Sequence, residues 1–236
     1  MNDISYNPKL EWTKFYSAKN PKGKTYPNEH VVRIFMGSYP KLNLDKSLYK
    51  SQRICDLGCG DGRNLVLFHD LGLETHGVEI TEDIVDFTND RLKAVEGIDV
   101  TIRVGSNDNI PYQDSFFDYL LSWSACYYMG EQTDFQAYVK EFARVLKPGG
   151  YLVLLIPKST HFIFRDSVTL RPGYELIQND PVGIRNGEIL RMFSDEKEIR
   201  AEFGEYFEDF AIGSQEDDFF GEDFHAFLVV CQRMKA

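Results

Sequence analysis

The stretch Arg53-Ile54-Cys55-Asp56-Leu57-Gly58-Cys59-Gly60-Asp61-Gly62-Arg63-Asn64 constrains the fold of this chain more than any other. A short apolar run, Ile54 to Leu57, breaks into glycines at every second position, and Leu65, Phe68 and His69 then recur at helical spacing. This reads as strand, tight turn and helix N-terminus. Glycine lets such a turn bring backbone N–H groups close to a ligand. In an open α/β sheet that place, at the carboxyl end of the first strand, is the usual seat of a nucleotide-like cofactor. The spacing separates cofactors. A dinucleotide fingerprint needs its third glycine where Arg63 stands, and here the glycine is Gly62. Asp56, just before the turn, would repel a pyrophosphate and suits a cofactor with a cationic amino-acid end.

The surrounding pattern is strand–helix alternation, which predicts a doubly wound, mostly parallel seven-stranded sheet with helices on both faces. Strands are expected at 52–57, 74–80, 98–104, 117–123 and 150–156, and helices at 62–71, 82–95 and 133–146. Thr81 is the expected cap of the second helix and Thr133-Asp134-Phe135-Gln136 a capping box for the third. Ser194 is expected to cap a helix that stops at Gly204. Tyr206–Gly213 and Phe224–Gln232 alternate like an antiparallel hairpin. Residues 157–193, rich in Pro, Gly and Arg, read as a loop-rich insertion on the substrate side. Residues 1–50 form a separate N-terminal helical lobe ahead of a 51–236 domain. In that lobe Asn28 caps a helix burying Val32, Phe35 and Met36. Tyr6, Trp12, Phe15, Tyr16 and Tyr26 either pack the lobe onto the domain or close it as a lid over a pocket.

Composition narrows the function classes. A formal net charge of −11 argues against a general nucleic-acid binder. Much of it comes from 195–223, read as a solvated acidic face. No apolar run approaches the roughly 18–20 residues of a membrane helix, and the start shows no basic region followed by an apolar core. Four cysteines without a C-x-x-C pair read as reduced thiols of a cytoplasmic protein.

Three further stretches carry chemistry. Glu79 ends the second strand, where an acid accepts both ribose hydroxyls of an adenosine. Gly105-Ser106-Asn107-Asp108-Asn109-Ile110-Pro111-Tyr112 follows the third strand, and Leu121-Ser122-Trp123-Ser124-Ala125-Cys126-Tyr127-Tyr128 closes the fourth. With Asp56-Leu57-Gly58-Cys59-Gly60-Asp61-Gly62, these residues resemble the class I S-adenosylmethionine-dependent methyltransferases, of the small-molecule, type 11-like kind. The resemblance covers about 52–156 well and 194–232 weakly. It implies S-adenosylmethionine as cofactor and S-adenosylhomocysteine as product. The implied cofactor site is Asp56, Gly58, Cys59, Gly60, Asn64, Glu79, Ile80, Ser106, Asn107, Ser122 and Trp123. Ser106 stands where the family carries an adenine-binding Asp, so Asn107 or Asp108 would take that contact. Tyr16, Tyr26, Tyr127 and His161 are the expected substrate residues. No metal is called for, because the sulfonium carries the reactive methyl. His161, His30, Tyr127 and Glu29 are the candidate bases, with none assigned, and Arg165, Arg171, Arg185 and Arg191 are either a clamp for an anionic substrate or paired surface charges. The expected function is methyl transfer to a small molecule. The alternatives are a non-catalytic cofactor-binding module of the same fold, a protein-substrate methyltransferase and, less suited to Arg63, a nicotinamide oxidoreductase.

Overall fold

The computed structural model describes residues 7–42, 44–130 and 133–235, and Tyr6 lies outside them. Helices α1 (Pro8–Ser17) and α2 (Glu29–Met36) precede β1 (Arg53–Leu57), α3 (Arg63–Asp70), β2 (Glu74–Glu79), α4 (Glu82–Arg91) and β3 (Thr101–Val104). Then come β4 (Phe117–Trp123), β5 (Tyr128–Met129), α5 (Phe135–Val145), β6 (Leu146–Pro157), β7 (Val168–Arg171), β8 (Tyr174–Leu176), β9 (Ile189–Arg191), α6 (Glu196–Phe203), β10 (Phe207–Phe219) and β11 (Glu222–Arg233). The main sheet has seven strands in the order β10-β11-β6-β4-β1-β2-β3. β3, β2, β1, β4 and β6 run parallel, and β11 and β10 close the edge antiparallel. The expected doubly wound sheet with its terminal hairpin is therefore the fold.

Alternation along the strands assigns each face its own core. Ile54, Tyr119, Leu121 and Val153 face α2 and α3, where Phe35, Leu67 and Phe68 cover them. Cys55, Leu57, Leu120, Leu152 and Leu154 face the opposite way, toward α5 and α6 through Tyr138, Phe142, Ile199 and Phe203. Phe35 is fully buried against Phe68 and Tyr119 at ring separations of 4.9 and 5.7 Å. Burial of one such side chain contributes about 1.5–3 kcal/mol, so α2 is an integral layer of the domain.

Local expectations shift by a residue or two. Asn28 caps α2 as expected, but the buried stripe is Val31, Ile34 and Phe35 while Met36 is exposed, because packing against α3 and the sheet, not the cap, selects the face. Asp134, not Thr133, caps α5 through Gln136 N–H, and Asp195, not Ser194, caps α6 through Glu198 N–H. In both places the carboxylate is the stronger acceptor for the first-turn amides. The third strand begins at Thr101 rather than 98, since α4 continues as a π-helical turn, Leu92–Glu96, stopped by Gly97. The 157–193 insertion is more ordered than its Pro and Gly content suggests. It folds β7, β8 and β9 with β5 into a four-stranded antiparallel sheet, β5-β9-β8-β7. That small sheet stands at the carboxyl ends of the parallel strands, one wall of the cleft described next.

Candidate active site

The glycine turn after β1 is tied down on both sides. Gly58, Gly60 and Gly62 have φ of +73°, +57° and +74°, which only glycine adopts readily. Gly58 N–H and Cys59 N–H donate to Val78 O at 2.9 and 3.2 Å, and Gly62 N–H donates to Cys59 O at 2.9 Å. Gly60 N–H donates to the Glu79 carboxylate at 2.7 Å. Four of the turn's amides are thus engaged within the protein, so the turn is no cradle for a pyrophosphate, contrary to what a glycine run alone suggests. Its carbonyls are held from α4: Thr88 Oγ1 donates to Gly60 O at 2.5 Å and Arg91 Nε to Asp61 O at 2.6 Å. Thr88 and Arg91 had no signal in a one-dimensional reading, because their partners are backbone atoms about 30 residues away.

Three carboxylates surround the turn and differ in environment. Glu79 receives Gly60 N–H and, at 2.9 Å, Ile80 N–H. Burial raises its pKa against these two donors, and each oxygen keeps a lone pair for a further donor. Asp61 pairs with Arg63 at 2.7 Å and Lys19 at 3.0 Å. These cations outweigh its burial and lower its carboxyl to about 2. Asp56 is 1% exposed, and burial pushes it up to about 8 despite a hydrogen bond from Asn64. Its Oδ2 has no hydrogen-bond partner among the described residues. Asn64 also accepts Asn28 N–H at 3.1 Å, which links this acid to the chain entering α2.

A cavity of about 530 Å³ opens at the carboxyl ends of β1, β2 and β4. Gly58, Glu79, Ile80, Ser106, Asn107, Trp123, Tyr127, His161 and Tyr16 line it. Asp56, Cys59, Gly60, Asn64 and Ser122 stand behind that wall rather than on it, as structural support for the turn. Tyr26 departs from expectation altogether: it is 71% exposed and off the cavity. Of the other candidate bases, Glu29 pairs with Arg33 on the surface and His30 stacks over Trp123. At the third-strand loop Ser106 Oγ donates to Asp108 Oδ1 at 2.5 Å, which uses the hydroxyl's one proton. Asn107 Nδ2 donates to Ala125 O at 3.0 Å, leaving Oδ1 to accept from an exocyclic amine such as that of adenine.

Helix α1 crosses this cavity. Tyr16 lies over the turn so closely that a Cβ on Gly60 would meet its hydroxyl. Thr13 Oγ1 lies 3.0 Å from Thr81 Oγ1, Lys19 reaches Asp61, and Trp12 Nε1 donates to Glu188 at 3.3 Å across the cleft. Burial beside Glu79 and Asp61 raises the Tyr16 phenol, so it stays a neutral donor. The far wall comes from β5 and the insertion: Tyr128, then Arg185 and Glu188, with Phe224 from β11. Of the four arginines weighed, Arg165 pairs at the surface with Glu222, Arg171 lies over Tyr174, Arg191 is buried with Glu198 and Glu202, and Arg185 alone lines this cavity.

An adenosine-bearing cofactor with an amino-acid end fits this chemistry. Glu79 offers lone pairs for ribose hydroxyls, Asn107 an acceptor for adenine, and the buried Asp56 a carboxyl, protonated in the ligand-free protein, that a cationic amino-acid end would ionise. Residues 55–154 match the family described as the methyltransferase domain. The probable tRNA methyltransferase 9B of Bos taurus is 30% identical over 117 residues, 48% of this chain and 24% of that protein. The 27-O-demethylrifamycin SV methyltransferase of Amycolatopsis mediterranei is 28% identical over 109 residues, 45% of this chain and 40% of that protein. The chain thus matches less than half the length of these relatives. A crystallised S-adenosylmethionine-dependent methyltransferase from Methanosarcina mazei shares the fold, with a TM-score of 0.63 at 20% identity, over 78% of this chain and 93% of that one. Residues 55–154 are thus a methyltransferase domain by their match, and the sheet order is the fold of S-adenosylmethionine-dependent methyltransferases of known structure. The cofactor of that family is S-adenosylmethionine. No helix among the described residues is long and apolar enough to cross a membrane.

Proposed function

We propose that the protein transfers a methyl group from S-adenosylmethionine to a small molecule held under α1. The observation that carries this reading is the 530 Å³ cavity, roofed by α1 and walled by the insertion. Its size falls in the range of small-ligand pockets, about 300–1,000 Å³, and the cofactor must share it with the acceptor. When bound, the cofactor supplies an electrophilic methyl on a sulfonium. The chain's own part is to bind, align and exclude water. Glu79 and Asn107 hold the nucleoside end, and Trp12, Trp123 and Tyr127 present apolar faces that keep the acceptor dry and in line. Helix α1 acts as a lid, since Trp12, Thr13 and Tyr16, with Lys19 just beyond it, reach Glu188 of the insertion, Thr81 at the start of α4 and the glycine turn. The four free thiols are all buried, which supports a reducing, cytoplasmic setting.

Incubation with labelled cofactor and, in parallel, a metabolite extract, bulk tRNA and bulk protein tests the acceptor class. Label entering only the small-molecule fraction is expected. Label entering tRNA or protein would overturn the small-molecule reading, and no transfer despite cofactor binding would favour a non-catalytic module. The lid makes its own prediction. Removing residues 1–18 leaves Trp123 as the sole tryptophan, so stopped-flow fluorescence can follow release of S-adenosylhomocysteine. Release is expected to accelerate at least tenfold, and an unchanged rate would mean that α1 is only packing.

Asp56 makes cofactor binding pH-linked. In the ligand-free protein its carboxyl holds a proton up to about pH 8. Because this folded pKa lies above the unfolded value of 3.8, the group lowers stability progressively as pH rises from about 4 to about 8. The cationic amino end of the cofactor favours the carboxylate, so binding is expected to release most of a proton at pH 7 and to tighten between pH 6 and 8. Calorimetry in two buffers of different ionisation enthalpy measures this release. The Asp56→Asn variant should show none, and equal release in both proteins would assign the proton elsewhere.

A further inference from the structure

The acceptor end of the cavity is lined by aromatic side chains and by two side chains with an uncommitted N–H donor. Trp12, Tyr127, Tyr128 and Phe224 supply the aromatic faces. His161, 5% exposed, accepts Ile163 N–H through Nδ1 at 3.2 Å, which places its proton on Nε2. Arg185 directs Nη1 to both Asp180 oxygens at 3.0 and 3.2 Å and Nε to the Tyr128 hydroxyl at 3.1 Å. His161 Nε2 and Arg185 Nη2 have no acceptor among the described residues, and both side chains line the cavity. Burial and the Arg185 charge hold His161 down at about 3, so its ring stays neutral and donating at physiological pH.

We propose, building on the methyltransferase reading above, that the acceptor is a small aromatic monocarboxylate whose carboxylate is gripped by His161 Nε2–H and Arg185 Nη2–H. A guanidinium and a carboxylate match in geometry, and hydrogen bonds to a charged group are the stronger kind. Charge restricts the choice further. Arg185 is already balanced by Asp180, and Glu188, buried in the same wall, holds Trp12 on α1. Lys9 adds one cation at the cavity wall. A dianionic phosphate would bring a second negative charge beside Glu188, and an ammonium group placed at the two donors would face Arg185. Arg185, Lys9, Asp180 and Glu188 cancel one another, so the two N–H donors without acceptors, rather than an excess of cations, select a single carboxylate.

The chain has two tryptophans, Trp12 and Trp123, and both line the cavity, so intrinsic fluorescence reports its filling. The full chain, saturated with S-adenosylhomocysteine, is titrated with benzoate, benzamide, benzylamine and phenyl phosphate. Benzoate is expected to bind at least tenfold more tightly than each of the others. His161→Asn keeps an acceptor for Ile163 N–H and deletes the far donor, and Arg185→Lys keeps the charge on Asp180 and deletes Nη2. Each is expected to weaken benzoate at least tenfold with S-adenosylhomocysteine affinity unchanged. Should Arg185→Lys not fold by circular dichroism, His161→Asn decides alone. Equal or tighter binding of the amine, amide or phosphate, or wild-type benzoate affinity in a folded variant, overturns the carboxylate assignment while leaving the methyltransferase reading standing. Failure of the wild type to bind S-adenosylhomocysteine instead overturns that reading, and this one with it.

Discussion

Replacing Glu79 by alanine is expected to weaken S-adenosylhomocysteine binding about 100-fold. A buried carboxylate that accepts two ribose hydroxyls makes charge-assisted hydrogen bonds worth about 1.5–3 kcal/mol each, and about 1.4 kcal/mol is a factor of ten. The loss has a second source in this protein. Gly60 N–H donates to Glu79 at 2.7 Å and Ile80 N–H at 2.9 Å. Alanine leaves both amides without that acceptor, so the turn loses its anchor as the ligand loses its partner. Folding stability is expected to fall by about 1–3 kcal/mol from the orphaned amides, an amount most domains tolerate. Glu79→Gln retains one acceptor and should lie between the two proteins. Isothermal calorimetry decides: wild-type affinity in Glu79→Ala would remove this residue from the cofactor site.

Arg91→Ala is expected to lower stability by about 3–5 kcal/mol, the usual consequence of removing one partner of a buried ion pair. Arg91 is 1% exposed, donates to Asp61 O at 2.6 Å, and lies 3.6 Å from Glu96. Without it Glu96 is left in a poorly solvated π-helical turn and the 61 carbonyl loses its tether. The double variant Arg91→Met with Glu96→Met removes both charges and should recover much of the loss, since a hydrophobic pair can replace a buried ion pair at little cost. Urea unfolding of the three proteins measures this. A single variant within about 0.5 kcal/mol of wild type would show that Arg91 holds nothing. Because the tether acts on the glycine turn, the folded fraction of Arg91→Ala should also bind S-adenosylhomocysteine more weakly, whereas a variant that only removed core packing would not.

The sheet was legible in the sequence because its signals are local and repeated. Ile54 to Leu57 and Tyr151 to Ile156 are continuous apolar runs, and Gly58, Gly60 and Gly62 can only be a turn after a strand. Glu79 was legible because its distance from that turn is set by one helix and one strand. Helix starts were legible only to within a residue. Thr133 and Asp134 are both good caps, and packing of Phe135 and Tyr138 into the core selects the register.

What residue spacing by itself determined, then, is the order of strands and helices, the turn that favours an adenosyl cofactor over a dinucleotide, and the acid that follows it. These depend on backbone geometry and on neighbours a few residues apart. The tertiary structure alone decided that four of the turn's amides are engaged within the protein, that Asp56 supports the cofactor wall from behind, and that Tyr26 stands outside while Arg185 stands within. It alone brought Trp12 to Glu188 across 176 residues. Such contacts carry no periodicity in the chain, because they form only when an N-terminal helix and a late insertion meet over the same sheet edge.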